Sequence, residues 1–340
     1  MILSCNLLQT STIDLDPDTG SAGAEFPQTR PPITSGRRSP IYLLDSKCPI
    51  QSQVPLASLT SFRVGGPAQW CMTPRRLEDL QAGLAWAHAE GLPVTRLGAG
   101  SNLLVSDRGL SGLVICTRYL RHSHFDLETG QLTVSAGDPL PRLAWQAAEL
   151  GCSGLEWSVG IPGTVGGAVV MNAGAHRSCM ADLLIDVQVI SPDGTLEVLS
   201  REDLKYSYRS SMLQKDDRIV VEATFQLQPG FDPEELKQVT RQHLKLRHSS
   251  QPYDRPSCGS VFRNPTPHAA GWLIEQAGLK GHKIGGAMVA QRHANFILNS
   301  GGATASDIFN LIHDVRNKVN ERWQVWLEPE VRILGEFGGA

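Results

Sequence analysis

The sequence lacks the features that mark membrane proteins and nucleic-acid-binding proteins. None of its apolar runs approaches the ~20 residues that a bilayer-spanning helix needs, and its first residues carry no basic region of the kind that opens a secretory signal peptide. The formal net charge is only −3 at pH 7, which gives no electrostatic reason to expect nucleic acid or an anionic membrane as a partner. We therefore predict a protein with no nucleic-acid partner and no membrane segment.

The cysteines also lack the pattern of a disulfide framework. There are seven, an odd number, and they are scattered along the chain without any pair spaced as CxxC. Such a pattern argues against a disulfide scaffold or a structural zinc site, and in favour of a reducing compartment. We expect a cytoplasmic protein without a metal site.

The common nucleotide-binding fingerprints are missing, although a related feature is present. Residues 97–107 read LGAGSNLLVSD, so a predicted strand leads into a short glycine-rich loop. The loop does not open a helix, as the GxGxxG fingerprint does, and no Gly-Lys-Ser/Thr follows, as in a P-loop. A loop of this kind can turn backbone N–H groups towards phosphate oxygens, but an ordinary turn is equally compatible with these residues.

A second glycine-rich stretch organises the rest of the chain. Residues 160–175 read GIPGTVGGAVVMNAGA and carry no charged side chain. Glycine is used where the backbone takes positive φ or comes into contact with a ligand, although a tightly turned core segment would have a similar composition. Two such stretches about sixty residues apart suggest one extended ligand held at both ends, and FAD has that size.

The pattern of strands and helices predicts an α+β protein rather than a doubly wound sheet. We expect strands at 94–97, 103–105, 113–116 and 131–136, and a hairpin around Asp193 and Gly194. Helices are expected at 77–90, from Asp138 as the cap to residue 150, from residue 232, at 269–277, and at 306–322 with Ser306 as the cap. Residues 278–299 are expected to form strands.

The predicted domain organisation follows the changes in composition. Residues 1–52 are rich in Ser, Thr, Pro and Asp and are predicted to be a disordered tail, with order beginning near Val54. Residues 53–230 would form one domain and residues 231–327 a smaller α+β domain. Residues 328–340 form a C-terminal segment.

Six blocks of sequence, in this order and with this spacing, carry a resemblance to a known family. They are GAGSNLLVSD, GIPGTVGGAVVMNAGA, YRSS, PSCGSVFRNP, GLKGHKIGGAMVAQRHANFILN and EPEVRILG. Together they resemble the UDP-N-acetylenolpyruvoylglucosamine reductases of peptidoglycan synthesis, over residues 54–335. The resemblance implies an FAD-binding domain of the vanillyl-alcohol oxidase and p-cresol methylhydroxylase type, followed by a smaller C-terminal substrate domain. The compact run 247–262 is similar to the second branch of the family, which lacks a tyrosine loop over the substrate.

The resemblance also implies a reaction and three catalytic residues. NADPH would pass hydride to N5 of FAD, and the reduced flavin would pass it to C3 of the enolpyruvyl group of UDP-N-acetylglucosamine enolpyruvate. Ser260 would then give a proton to C2, while Arg209 and Glu330 hold and polarise the substrate carboxylate. The product would be UDP-N-acetylmuramate, a cytoplasmic precursor of the cell wall.

Further binding residues are implied in the same way. FAD, held without a covalent bond, would contact Arg63, Gly65, Gly98, Gly100, Ser101, Asn102, Gly160, Ile161, Pro162, Gly163, Thr164, Gly166, Gly167, Asn172, Ala173 and Gly174. The UDP part of the substrate would contact Lys245, Arg247, Gln251, Arg263 and Asn264, since arginine suits diphosphate oxygens. A helix end rich in basic residues can instead be a solvated face.

One departure from the family and two other functions remain open at this stage. Arg177 stands where the family usually has a residue that allows positive φ, so the loop after the second glycine stretch is in doubt. An FAD-dependent oxidase of a sugar or hydroxy acid, or a non-catalytic nucleotide-sugar binding protein, would also use a flavin or a nucleotide site. We expect a monomer or a weak dimer that acts on a small molecule.

Overall fold

The computed structural model describes residues 38–338, apart from residues 44, 45 and 47. Residues 1–37 of the predicted disordered tail at 1–52 lie outside the described residues. Beyond that point Ile41 pairs with Ile50 across an isolated antiparallel bridge, and the first strand begins at Gln51. Regular pairing therefore begins before the expected start near Val54.

The described chain alternates short strands with six α-helices. In chain order they are β1 (Gln51–Pro55), β2 (Pro67–Met72), α1 (Leu77–Ala89), β3 (Val94–Leu97), β4 (Leu103–Val105), β5 (Leu110–Cys116), β6 (Ser123–Phe125), β7 (Gln131–Ser135), α2 (Leu140–Glu149), α3 (Val165–Met171), β8 (Gly174–Ala175), β9 (Ser178–Cys179), β10 (Leu184–Ile190), β11 (Leu196–Ser200), β12 (Ile219–Gln226), α4 (Pro233–Ser250), α5 (Ala270–Gln276), β13 (Lys283–Ile284), β14 (Ala287–Val289), β15 (Ile297–Asn299), α6 (Ala305–Trp323) and β16 (Arg332–Leu334). Short 3-10 helices cover Leu56–Leu59, Thr117–Tyr119, Glu156–Ser158, Met180–Asp182 and Met212–Lys215.

The strands form two larger sheets and three small ones. The first has the order β1-β2-β5-β3 and is mixed, because β5 runs parallel to both β2 and β3 while β1 is antiparallel to β2. The second has the order β11-β10-β12-β7-β6 and is antiparallel throughout. The predicted α+β class is thus confirmed, together with the hairpin between β10 and β11.

The C-terminal part of the chain returns to the N-terminal part. Strand β16 pairs in parallel with β4, and helix α4, which follows the boundary predicted at residue 230, packs against α2. Helices α5 and α6 share a core with the small sheet β13-β14-β15 and with Phe62 and Leu104. The domain boundaries given above stay a prediction.

The second glycine-rich stretch contains a helix that the sequence did not predict. Thr164 is the N-cap of α3, and its hydroxyl accepts a hydrogen bond from Gly167 N at 3.5 Å. The helix ends at Asn172, which takes the left-handed conformation with φ of +44°. His176 and Arg177 beyond it also have positive φ, +52° and +69°, so Arg177 does adopt a conformation that is costly for a side chain of its size.

Two predicted helix caps are wrong. Asp138 does not cap α2, since its Oδ2 accepts a hydrogen bond from His122 N at 2.9 Å and Pro139 occupies the N-cap position. Ser306 does not cap α6. Thr304 does, in a reciprocal capping box with Asp307, and the Ser306 hydroxyl donates instead to Asp107 at 2.8 Å. In both cases the side chain that the local sequence predicted as the cap instead forms a hydrogen bond with a residue that is distant in sequence.

The hydrophobic face predicted for the last helix is confirmed. Ile308, Leu311, Ile312, Val315 and Val319 are all buried, as the spacing of an amphipathic helix requires. Among the described residues, no helix has the length and apolar character needed to cross a membrane.

The capping of α6 gives a direct test of this local assignment. Thr304→Ala removes the hydroxyl that accepts from Asp307 N at 3.0 Å, so we expect the free energy of unfolding to fall by about 1 kcal/mol in urea denaturation. Ser306→Ala is the matched control, because it leaves the capping box intact and should cost less. A larger loss in Ser306→Ala than in Thr304→Ala would contradict the assignment.

Candidate functional site

A cavity of about 700 Å³ lies where the two glycine-rich stretches and the C-terminal part of the chain meet. One wall is the loop 98–102 between β3 and β4. A second wall is the loop 161–164 before α3, with the residues that follow this helix. Ser260, Arg209 and Glu330 line the same cavity, so residues far apart in sequence face a common space.

Two glycines explain why the first loop can lie so close to its neighbours. A Cβ atom at Gly98 would stand 2.7 Å from Thr164 Oγ1, across the gap between the two loops. A Cβ at Gly100 would stand 2.1 Å from the Leu59 carbonyl oxygen, and the residue has φ of +68°. A side chain at either position would push the loops away from one another.

The first loop presents backbone donors that the protein itself does not use. Within the described part of the chain, no hydrogen bond is made by the N–H groups of residues 99–102. Arg118 holds the loop in place, because its Nη2 donates to the carbonyl oxygens of Leu59 and Ala99 at 3.0 and 3.2 Å. Since buried or enclosed backbone donors are nearly always paired in folded proteins, a row of free N–H groups on a cavity wall fits an anionic ligand such as a diphosphate.

Arg209 and Glu330 form an ion pair on the cavity wall. Arg209 Nε lies 3.1 Å from Glu330 Oε1, and the side chains are only 22% and 17% exposed. Arg209 Nη2 also donates to the Gly174 carbonyl oxygen at 2.7 Å. The pair therefore joins the turn that carries Arg209, the second glycine-rich stretch and the C-terminal segment.

The environment of Glu330 acts on its charge in opposite directions. Burial is the largest effect and raises the pKa of its carboxyl, whereas the positive charges of Arg209 and Arg263 lower it. Burial prevails, so the pKa stays above the usual value for glutamate. Its main chain is held as well, because Asn102 Nδ2 donates to the Glu330 carbonyl oxygen at 3.1 Å.

Ser260 is held next to Glu330 by an extended segment. It pairs with Phe296 in an isolated bridge, and the following residue, Val261, accepts a hydrogen bond from Glu330 N at 2.7 Å. Asn295 fixes the segment further, because its side chain donates to Phe262 O at 2.8 Å and accepts from Phe262 N at 2.9 Å. Ser260 thereby lies on the wall that also carries the ion pair.

The structure brings most of the predicted cofactor residues to the cavity wall. Those that line it are Gly98, Gly100, Ser101, Asn102, Ile161, Pro162, Gly163, Thr164, Gly166, Gly167, Ala173 and Gly174.

The other four predicted cofactor residues do not line the cavity. Arg63 is exposed, with φ of +58°, and Gly65 packs against Val105. Gly160 lies under the side chain of Arg247. The Asn172 amide bonds the Ser207 carbonyl oxygen and the N–H of residue 181.

The predicted substrate residues divide in the same way. Arg247, Gln251 and Asn264 line the cavity, and Arg247 Nε donates to Tyr253 Oη at 2.7 Å. Lys245 is exposed on α4 and does not line the cavity. Arg263 does not line it either, and its guanidinium lies behind the ion pair.

Several cavity residues were missed by the sequence analysis, including Arg332 and Gln214. Arg332 Nη2 donates to the Gln214 carbonyl oxygen at 3.2 Å. The sequence did offer a signal for Arg332: it follows Glu330 by two residues in an extended segment, where alternate side chains share a face. Gln214 lies in a 3-10 turn and gives no such signal.

Comparison with known families matches both parts of the chain. Residues 68–200 match the family model described as an FAD binding domain. Residues 251–334 match the C-terminal domain of UDP-N-acetylenolpyruvoylglucosamine reductase. The predicted pairing of a flavin domain with a reductase C-terminal domain is thus confirmed.

Individual relatives agree over nearly the full length. A UDP-N-acetylenolpyruvoylglucosamine reductase from a Nostoc species is 61% identical over 300 residues, which cover 88% of this chain and 91% of the relative. One from a Synechocystis species is 56% identical over 313 residues, with 92% and 98% coverage. The crystal structure of the enzyme from Thermus caldophilus superposes with a TM-score of 0.71 at 37% identity, over 84% of this chain and 99% of that one. The chain belongs to the UDP-N-acetylenolpyruvoylglucosamine reductase family.

Proposed function

We propose that this protein reduces UDP-N-acetylglucosamine enolpyruvate to UDP-N-acetylmuramate with NADPH, as a non-covalent FAD enzyme. The observation that carries the proposal is the Arg209–Glu330 contact of 3.1 Å on a cavity wall that Ser260 shares. A guanidinium, a carboxyl and a hydroxyl around one space suit a reaction in which a carboxylate gains charge and then takes up a proton. Membership of the family and the match to an FAD binding domain support the same function.

The residues on the cavity wall fit FAD. The free N–H groups of residues 99–102 offer donors for the pyrophosphate, and Gly98 puts no side chain between the first loop and Thr164. Bound FAD supplies hydride transfer between NADPH and the enolpyruvyl double bond. The protein's own part is to hold the flavin and the substrate and to manage the charge and the proton.

Arg209 is proposed to bind the carboxylate of the enolpyruvyl group. Its planar guanidinium presents several donors in a fixed fork that matches a carboxylate. As negative charge develops on this carboxylate during reduction, the interaction strengthens, which is what lowers a barrier. Glu330 holds Arg209 Nε at 3.1 Å and thereby orients the fork. In its protonated form Glu330 can itself donate a hydrogen bond to the carboxylate.

Ser260 is proposed to give the proton to C2. A serine hydroxyl is a weak acid in water, so it can act only on a strongly basic carbon and from within hydrogen-bond reach. The enolate form of the substrate is such a base. The rigid segment around Ser260, held by Asn295 and by the Glu330 main chain, favours this role.

Arg247, Gln251 and Asn264 are proposed to hold the UDP part of the substrate at the other end of the cavity, where they form part of its lining. We propose a cytoplasmic location for the reaction, and the six free thiols among the described residues support a reducing compartment. That the chain works as a monomer or weak dimer stays a prediction.

The close approach of the two loops predicts an effect on flavin binding. Gly98→Ala places a methyl group 2.7 Å from Thr164 Oγ1, so we expect the loops to separate and FAD to be lost more readily. The flavin absorbance that remains bound after gel filtration measures this. Gly271→Ala is the control, because this residue of α5 has no positive φ, a Cβ there would come no closer than 3.5 Å to another atom, and it lies outside the cavity lining. Equal flavin retention in the two variants would contradict the assignment of the loop.

The proton donor can be tested by separating the two halves of the reaction. Ser260→Ala should let NADPH bleach the bound flavin at the wild-type rate under anaerobic conditions. Return of the absorbance on adding UDP-N-acetylglucosamine enolpyruvate should slow by about 10²–10⁴-fold, the usual contribution of a positioned acid. Stopped-flow absorbance measures both steps. Reoxidation at near wild-type speed would rule out Ser260 as the donor.

Glu330 predicts a particular dependence of stability on pH. Because burial raises its pKa above the usual 4.5, the stabilisation due to Glu330 is complete below that pH and is lost as pH rises through the raised pKa. The free energy of unfolding of wild type, measured against Glu330→Gln, should therefore fall as pH increases from 4.5. Urea denaturation at a series of pH values tests this. If the difference in the free energy of unfolding between wild type and Glu330→Gln instead grew with pH, the effect of Arg209 on the pKa of Glu330 would outweigh that of burial.

A further inference from the structure

Arg263 contacts the main chain of Arg209 and does not line the cavity. Its Nη2 donates to the Arg209 carbonyl oxygen at 3.1 Å, and its main-chain N–H donates to Glu328 O at 2.9 Å. Its Nε atom is buried and has no hydrogen-bond partner among the described residues. The preceding residue, Phe262, is fixed on both sides by the Asn295 side chain. The Arg263 side chain thus extends from a rigid segment to the main chain of Arg209, whose own guanidinium belongs to the cavity wall.

The turn that carries Arg209 needs such support. Ser207 and Ser210 exchange two backbone hydrogen bonds of 3.1 Å each, and Arg209 takes the left-handed conformation between them, with φ of +54°. This conformation is disfavoured for a residue with a long side chain and persists only where its surroundings hold it. The Arg209 carbonyl oxygen accepts two side-chain donors, Gln214 Nε2 at 2.9 Å and Arg263 Nη2. These two bonds fix the peptide and hence the direction of the Arg209 side chain.

Arg263 also brings a second positive charge to Glu330. The charged groups around Glu330 are Arg209 on the turn and Arg263 on the extended segment, and the Cys258 thiol is the remaining titratable neighbour. Both arginines oppose the effect of burial and lower the pKa of the Glu330 carboxyl. Gln214 shares the Arg209 carbonyl oxygen with Arg263 but carries no charge, so its removal takes no positive charge away from Glu330.

We propose that Arg263 is a positioning residue, which holds Arg209 in its strained conformation and sets the charge balance of the Arg209–Glu330 pair. The inference rests on the proposed function, because it assigns Arg263 an effect on the same reaction. It differs from the expectation that Arg263 grips the UDP part of the substrate. A gripping residue acts on the affinity for substrate, whereas a positioning residue acts on the chemical step and on its pH dependence.

The test uses a graded series on the holoenzyme. R263K keeps a charge and a donor, R263Q keeps a donor without charge, and R263M keeps neither. Q214M removes the other donor to the same carbonyl without changing any charge. For each protein, anaerobic stopped-flow measures flavin bleaching by NADPH and reoxidation by UDP-N-acetylglucosamine enolpyruvate at several concentrations and pH values.

We expect bleaching to be unchanged and reoxidation at saturating substrate to slow in R263M by about ten- to a hundredfold, as displaced catalytic groups do. R263K should recover most of this rate. The midpoint of the pH profile for reoxidation should move to higher pH in R263M and R263Q, because Glu330 loses a nearby cation, and should stay in place in R263K and Q214M. Crystals of R263M should show the Arg209–Glu330 contact of 3.1 Å lengthened.

The outcomes separate the two proposals. If wild type itself is not reoxidised by the substrate, the proposed function fails. If wild type reacts but R263M shows only a higher half-saturating substrate concentration, Arg263 grips the substrate and the inference is overturned. A pH midpoint that does not move in R263Q overturns the electrostatic role in the same way. Thermal unfolding shows whether R263M is folded; if it is not, R263Q against R263K still decides the question.

Discussion

The Arg209–Glu330 ion pair is the interaction on which the arrangement of the cavity depends. Its two members come from a turn before β12 and from the segment before β16, and both are largely buried. A buried pair of this kind contributes little to stability, because desolvation of both charges offsets most of their attraction. Several further contacts nevertheless hold the pair in place. The chemistry that the pair supports explains these contacts better than the stability of the fold does.

The same contacts connect the pair to the glycine-rich loops. Arg209 Nη2 donates to Gly174 O in the stretch that follows α3, and Asn102 of the first loop donates to the Glu330 carbonyl oxygen. The parallel pairing of β16 with β4 extends this connection, since β4 begins directly after the loop. The two loops proposed to hold FAD and the groups proposed to hold the substrate are therefore parts of one hydrogen-bonded structure.

The sequence predicted regular elements better than it predicted their ends and the direction of side chains. Helix α6 was clear because its apolar residues repeat at helical spacing, and the hairpin at Asp193 and Gly194 because its turn residues are specific. Helix α3 was missed because glycine is a poor helix former, and what holds this helix is burial of Val165 and Val169 against the sheet. Arg209, Ser260 and Glu330 were singled out by resemblance to a family. Composition and spacing alone could not have brought them together.

The strained backbone around the cavity shows why such details escape sequence analysis. Asn172 and Arg209 both have positive φ, a conformation that asparagine tolerates but that costs a long side chain such as that of Arg209 roughly 1–2 kcal/mol. The Asn172 side chain donates to Ser207 O at 2.9 Å, the carbonyl oxygen that also accepts from Ser210 N across the Arg209 turn. Thus the left-handed end of α3 holds one side of the turn, and Gln214 and Arg263 hold the other. No single bond would maintain the conformation, but together they over-determine it, which is the condition under which strain survives at a functional site.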